Sequence, residues 1–356
     1  MTEHTHLPGH SPEGANRPSS DPEDRLSVGL SAEQHDLRIG VLGTGALGTL
    51  MLSQWQPHHS VSVHNRSKIS GRHQHQSFVL LPFEGTAPDD LRNIKAPRWA
   101  GESLDWLVVT TKAAATRNAL DSVRSWLPQV SRIMLLQNGM GQQDEMAQWL
   151  AEQSLSCELW PATTTHGAYV KEADAIHPLG YVVHAGQGQT HAGRWQPAST
   201  KSPENVGSER VDHDTSGPST AILPKDVLPH ADIRQLLLGK LAINAIINPL
   251  TAKFRCLNGA LPTHEYRQTF DDLAQEVSDL FAAMHWSVGF DIYQRAVEVA
   301  ERTAANRSST LQDVLQQRPT ELPYITGYLL NEARRCGLDA PVNQALYHTL
   351  CPEEGS

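Results

Sequence analysis

The sequence predicts an α/β N-terminal domain followed by an all-α C-terminal domain. Three observations carry this: short apolar runs alternate with helical segments after residue 37, a glycine cluster closes the first run, and after residue 231 the apolar spacing turns helical. At 356 residues the chain exceeds the usual domain of roughly 100–200 residues, so two domains are expected.

Leu37–Leu42 reads as an apolar strand, followed by glycines and a helix near Ala46–Trp55. Ser60–His64 alternates as a second strand, Leu104–Thr111 is a buried-strand run, and Ala113–Trp126 reads as helix. Arg132–Leu136 is another apolar run, ending at the turn Asn138–Gly141. Strands alternating with helices predict a parallel sheet with crossover helices. Tyr181–Ala185, followed by Gly186 and Gly188, reads as the first arm of a closing hairpin. Ile233–Ile247 is helical in pattern, and Pro249 is expected to bend or end that helix. Tyr266, Phe270, Leu273, Val277, Leu280 and Met284 fall on one helical face, and Leu322–Arg335 also reads as helix. Residues 1 to 36 and about Arg194–Ser219 hold mostly His, Pro, Ser, Gly, Asp and Glu. They are read as a disordered tail and a polar insertion. The expected division is thus a tail (1–36), a dinucleotide-binding domain (37–230) and a helical domain (231–356).

Composition narrows the function classes. A net charge of −10 argues against an electrostatic nucleic-acid binder. No apolar run approaches the ~18–20 residues of a membrane span, and the N-terminus carries no apolar core for a secretory signal. Cys157, Cys256, Cys336 and Cys351 are far apart with no CxxC, unlike a disulfide scaffold or cysteine zinc site. The chain contains 18 histidines, but none forms an HExxH or sits with acids at ligand spacing, so no metal is expected. The expectation is a soluble cytoplasmic protein.

The run from Arg38 to Gly48 places GxGxxG directly after a strand and at the start of a helix. There Gly43 permits a tight turn, Gly45 lets a pyrophosphate approach the backbone, and Gly48 allows close helix–strand packing. The helix N-terminus adds free N–H groups and partial positive charge. This is a Rossmann-type dinucleotide site. An NAD site carries an acid at the end of the second strand. Here Ser60–His64 runs into Asn65, Arg66, Ser67 and Lys68. The planar donors of Arg66 suit a 2′-phosphate, so NADPH is favoured, unless Arg66 is an ordinary exposed cation. Lys112 and Asn138 each follow a strand at its carboxyl end, where ligands bind in such sheets.

Lys240, Asn244 and Asn248 are spaced i, i+4, i+8 on one face of an otherwise apolar helix. Burying such groups without partners is costly, so the stripe reads as a cleft for a polar ligand or as a face turned to solvent. By composition, Asn306–Asp313 and Thr320–Glu321 form an unremarkable helix–loop–helix, and spacing gives no reason to select Glu321.

Taken together the motifs resemble ketopantoate reductase, the NADPH-dependent 2-dehydropantoate 2-reductase family of pantothenate biosynthesis. The resemblance rests on VLGTGALG (41–48), HNR (64–66), TTKA (110–113), QNGMG (137–141) and TTTHGA (163–168). It continues in GKLAINAIINPLTA (239–252), CLNG (256–259), NRSSTLQD (306–313) and TELPYITGYLL (320–330), in order over about residues 37–345. It implies Lys240 as general acid, with Glu321 supporting catalysis and contacting the nicotinamide ribose. It implies substrate contacts by Asn138, Asn244, Asn248, Asn258 and Ser309. Cofactor contacts would come from Gly43, Thr44, Gly45, Ala46, Leu47, Gly48, Arg66, Lys112, Asn138 and Ala168. Three features depart from the family core: the tail, the insertion, and Gly239 inside a helix, where glycine costs ~1 kcal/mol. The expected partner is a small-molecule 2-keto acid. Oligomeric state stays open between monomer and homodimer, and neither nucleic acid nor membrane is expected. Two other readings remain: a reductase of another branched 2-keto acid, and a non-catalytic NADPH-binding sensor of the same fold.

Overall fold

The computed structural model describes residues 36–65, 75–83, 88–171, 180–196 and 221–352. The tail reading for residues 1–35, most of the polar stretch, and Arg66 therefore lie outside the described residues.

The strands are β1 (Arg38–Leu42), β2 (Ser60–His64), β3 (His75–Leu81), β4 (Arg92–Pro97), β5 (Leu104–Val109), β6 (Val130–Leu135), β7 (Glu158–Thr164), β8 (Gly167–Lys171), β9 (Tyr181–Gly186), β10 (Thr190–Ala192) and β11 (Val227–Pro229). The helices are α1 (Ala46–Trp55), α2 (Thr116–Ser122), α3 (Gln142–Glu152), α4 (Ile233–Phe254), α5 (Arg267–Ala283), α6 (Ile292–Arg302), α7 (Ser309–Leu315), α8 (Thr326–Arg335) and α9 (Pro341–Leu350).

Seven strands form the large sheet in the order β11-β10-β7-β6-β5-β1-β2. Pairings from β2 through β7 are parallel, and β10 returns antiparallel to β7. The chain leaves β1 to one side for β2 and to the other for β5, so the switch point lies between β1 and β5. In sheets of this kind the ligand crevice opens there. The central strands are buried on both faces, which explains their unbroken apolar runs. Leu107, Val109, Ile133 and Leu135 join a core with α3, α4 and α5, while Trp106, Val108 and Met134 pack with Ile39, Val41 and α1 on the other face.

A second sheet, β4-β3-β9-β8, was not foreseen. It packs against α1, which also touches β1. This explains why α1 buries Leu50, Met51, Leu52 and Trp55 without a polar face.

Several expectations need correction. Tyr181–Ala185 is the second arm of a hairpin rather than the first, since β9 pairs antiparallel with β8 and β10 then crosses into the large sheet. The helix expected over Ala113–Trp126 breaks into α2 flanked by 3-10 turns. The break lets Trp126 pack edge-on against His64 and Trp99. Nor does the polar stretch begin at Arg194. Trp195 is buried, its amide donates to the Leu159 carbonyl at 2.8 Å, and its indole donates to Asp144 at 2.9 Å.

α4 is the axis of the helical region and contacts α5, α6, α7, α8 and α9. Asp232 caps it by accepting from the Gln235 amide at 3.0 Å. Pro249 does not end it: the helix runs on to Phe254 and stops at Arg255, which is left-handed at φ 51°. Burial of the flanking Ile247, Asn248, Leu250 and Thr251 holds the helix through the missing hydrogen bond. Gly239 is accounted for as well, since a Cβ there would stand 3.1 Å from the Phe290 ring.

Candidate active site

The carboxyl ends of β1, β5, β6 and β7 carry the candidate residues. At β1, Gly43 takes φ +100° and its amide donates to the His64 carbonyl at 3.0 Å. A Cβ on Gly48 would collide with the Gly43 carbonyl, so glycine alone permits this approach of α1 to β1. Gly45 differs: an added Cβ would meet nothing within 4 Å. It stands at the N-cap of α1 with no side-chain cap, leaving first-turn amides for a ligand. Thr44, Ala46 and Leu47 are half-buried beside it. Asn65 Nδ2 donates to Thr44 Oγ1 at 3.1 Å and to Gln76 Oε1 at 2.8 Å, bracing the turn against β2 and β3. A cavity of about 200 Å³ opens here, lined by residues including Gly43, His64, Asn65 and Thr111. Thr111 Oγ1 is buried without a partner. An open glycine, an uncapped helix start and an orphaned hydroxyl fit a dinucleotide phosphate and its ribose. Ala168, on β8, packs against the core that contains α1.

At the second centre, Lys240 projects from α4 and its Nζ donates to the Thr164 carbonyl, at the end of β7, at 2.9 Å. Burial pulls the Lys240 pKa down to about 8, while the Glu321 carboxylate pulls it back up. Glu321 precedes a 3-10 turn at Leu322–Tyr324, with Pro323 early in that turn. Its two oxygens accept from the Ala113 amide at 3.3 Å and from Asn138 Nδ2 at 2.9 Å. Burial raises its pKa, and the Asn138 bond, the Ala113 amide and two lysines, Lys112 and Lys240, oppose that rise. Glu321 therefore joins the ends of β5 and β6 to the helical region. Gly139, at φ +83°, has no room for a Cβ beside the Tyr324 carbonyl, which accepts from the Met140 amide at 2.8 Å.

Lys112 ion-pairs with Asp313 of α7 and donates to the Pro319 carbonyl at 2.8 Å. Asp313 is buried and also accepts from Arg318 Nε at 3.2 Å. Sequence reasoning missed Asp313 as a partner, although it sits in the quoted NRSSTLQD run. It also missed the Thr164 carbonyl, which no side-chain pattern can reveal.

The stripe on α4 is real. Asn248 is 4% exposed and its Nδ2 has no partner, while Asn244 is half-buried one turn closer to Lys240. A buried, unpaired amide costs about 1–3 kcal/mol, so this donor is best accounted for by a ligand. Asn258 is buried, donating through Nδ2 to Thr303 Oγ1 at 2.9 Å and leaving Oδ1 free. Ser309 is exposed at the start of α7, whereas Ser308 caps that helix and meets Thr251 of α4 at 2.7 Å. Among the described residues, no group of three or more His, Cys, Asp or Glu could hold a metal ion, and no helix is long and apolar enough to cross a membrane.

A Rossmann-type sheet with an open glycine turn, facing a lysine and an amide stripe on a helix, defines a dinucleotide-dependent oxidoreductase. Sequence profiles narrow the class: the one described as ketopantoate reductase PanE/ApbA matches residues 39–197, and its C-terminal counterpart matches 232–352. The 2-dehydropantoate 2-reductase of Vibrio cholerae is 32% identical over 320 residues, 88% of this chain and 97% of that protein. Its counterpart from Salmonella typhimurium is 33% identical, covering 89% of this chain and 95% of that protein. The chain belongs to the ketopantoate reductase family. Among solved structures, a probable 2-dehydropantoate 2-reductase of Bacillus subtilis aligns with TM-score 0.65 at 27% identity, covering 88% of this chain and 99% of that one. A D-mandelate dehydrogenase aligns at 0.66 with 16% identity over 88% and 97% of the two chains, which speaks for the fold alone.

Proposed function

We propose that the chain reduces 2-dehydropantoate to (R)-pantoate with NADPH, the reduction that serves pantothenate and coenzyme A biosynthesis. The observation that carries this reading is the half-buried Lys240, held by the Thr164 carbonyl, with its pKa near 8 and on the same helix face as an unpaired Asn248. A general acid works best when its pKa lies near the operating pH. Residues 37–230 supply most contacts to the cofactor and 231–356 most contacts to the substrate, with Asn138 and Glu321 reaching across.

Bound at the β1–α1 turn, NADPH supplies the hydride. Gly43, Thr44, Gly45, Ala46, Leu47 and Gly48 would hold its pyrophosphate, and Arg66 and Lys112 would serve its adenosine phosphates. Ala168 would stand beside the cofactor. As charge develops on the ketone oxygen, the Lys240 ammonium stabilises it and donates its proton there. The Thr164 carbonyl fixes that ammonium in direction. Glu321, oriented by Asn138 and the Ala113 amide, sustains the lysine's positive charge and contacts the nicotinamide ribose. Asn138, Asn244, Asn248, Asn258 and Ser309 hold the substrate's carboxylate and hydroxyl. Of the monomer and homodimer left open by the sequence, a cytoplasmic homodimer is the one proposed; a ketopantoate reductase of Staphylococcus aureus is described as dimeric.

The test is loss of NADPH on mixing with 2-dehydropantoate, with pantoate formed in equal amount. NADPH binding without turnover of any 2-keto acid would refute the reading and favour a sensor.

A further inference from the structure

Two segments pass between the large and small sheets: residues 164–167, from β7 to β8, and residues 186–190, from β9 to β10. They are zipped together. The Thr165 amide donates to the Gln189 carbonyl, and the Gln189 amide donates back to Thr165 Oγ1, both at 2.9 Å. Thr190 Oγ1 donates to Thr164 Oγ1 at 3.0 Å. Gly188 has no room for a Cβ against the Thr165 and His166 backbone. The Gly188 amide donates to His166 Nδ1 at 3.2 Å. His184 Nε2 lies 3.0 Å from the Gly186 carbonyl and 3.2 Å from His166 Nδ1.

This network dictates both tautomers. The Gly188 amide only donates, so His166 Nδ1 carries the lone pair. The Gly186 carbonyl only accepts, so His184 Nε2 carries the hydrogen and shares it with His166. A proton on His166 Nδ1 would set an N–H against two donors and open the zip two residues from Thr164. The Thr164 carbonyl, in turn, is the acceptor that holds Lys240 Nζ at 2.9 Å.

We propose that His166 is a positioning residue for the reduction: as a neutral ring it locks the two crossing segments and thereby holds the Thr164 carbonyl against the Lys240 ammonium. This rests on Lys240 being the proton donor. Burial and the neighbouring His184 favour the neutral ring of His166, Asp226 opposes them, and burial likewise favours neutral His184. His184 tolerates protonation, because its Nε2–H still donates. Acidification therefore acts through His166, and kcat falls below the ordinary histidine value of about 6.5.

The experiment measures kcat and KM against pH for wild type, His166→Ala and His166→Asn. Asparagine places an oxygen near the ring Nδ1, accepting from Gly188 without titrating. His166→Ala is expected to lower kcat about 10- to 100-fold with a smaller effect on KM, as misplacement of a reacting group does. His166→Asn is expected to keep kcat near wild type and to move the acid limb to lower pH. An unchanged profile in His166→Ala, or an unmoved acid limb in His166→Asn, overturns the proposal. Should His166→Ala fail to fold, His166→Asn decides alone. Wild type inactive on every 2-keto acid would sink the functional reading instead. The positioning claim is then read from imidazole proton resonances, and a His166 titrating at the ordinary value without moving the Gly188 amide overturns it.

Discussion

Replacing Lys240 should trade activity for stability, and the structure sets both magnitudes. The ammonium loses much of its hydration on α4, and its pKa falls from 10.5 to about 8. That shift corresponds to at most about 3 kcal/mol by which the charged form is disfavoured in the folded chain. The folded protein binds fewer protons than the unfolded chain between those values, so wild-type stability rises with pH across that window. Lys240→Met lacks this rise. Its stability gain should be largest below about pH 8 and vanish above about 10.5. The same side chain is the proposed proton donor, so Lys240→Ala should lower kcat by ~10²–10⁴-fold, the range for a positioned acid. NADPH affinity should hardly change, because the glycine turn lies on the sheet. Urea titrations of Lys240→Met across pH measure the first effect. Saturating kinetics and fluorescence titration with NADPH measure the second. If kcat survives while cofactor affinity falls, Lys240 is a binding residue and the proton comes from elsewhere.

Three further outcomes follow from individual contacts. Gly45→Val should keep the thermal midpoint and weaken NADPH binding at least 10-fold, since its side chain enters open space, whereas Gly48→Ala should lower the midpoint by colliding with the Gly43 carbonyl; calorimetry with cofactor titration separates them. Glu321→Gln removes the charge that raises the Lys240 pKa, so the alkaline limb of kcat should move below about 8, and an unmoved limb would break the proposed coupling. Arg66→Ala should raise KM for NADPH roughly 10- to 100-fold more than for NADH, the worth of a charge-assisted contact; equal effects would reassign Arg66 to solvent.

The parallel sheet, the glycine turn and the α4 stripe were legible because each writes itself in local pattern. Ile39 and Val41 are buried where an apolar strand was read, and Lys240, Asn244 and Asn248 share the helical face their spacing requires. The small sheet was not legible. The β3 sequence HQSFVLL and the β4 sequence RNIKAP carry mixed exposure, because both strands lie toward the surface, and β3 joins the rest of the sheet through β9, far along the chain. Of the bend or end expected at Pro249, the end is absent for a related reason, since tertiary burial overrides local propensity there. At the site, side chains were found by motif, while their anchors were not. The Thr164 carbonyl is backbone, and the Lys112–Asp313 pair spans 201 residues, a separation that leaves no trace in local spacing. Glu321 entered only by resemblance, and its place between Ala113 and Asn138 now gives it a physical reason.

If the proposed function holds, this site reduces the branched keto acid its amide stripe can hold, with NADPH as donor. The most direct measurement is kcat/KM with NADPH for 2-dehydropantoate, 2-ketoisovalerate and pyruvate. The proposed substrate contacts include a hydroxyl as well as a carboxylate, and sites of that kind strongly reject analogues that leave polar groups unpaired. With 2-dehydropantoate, kcat/KM should therefore exceed that with either other acid by at least about 100-fold. Equal or higher kcat/KM for 2-ketoisovalerate, which lacks that hydroxyl, would contradict it.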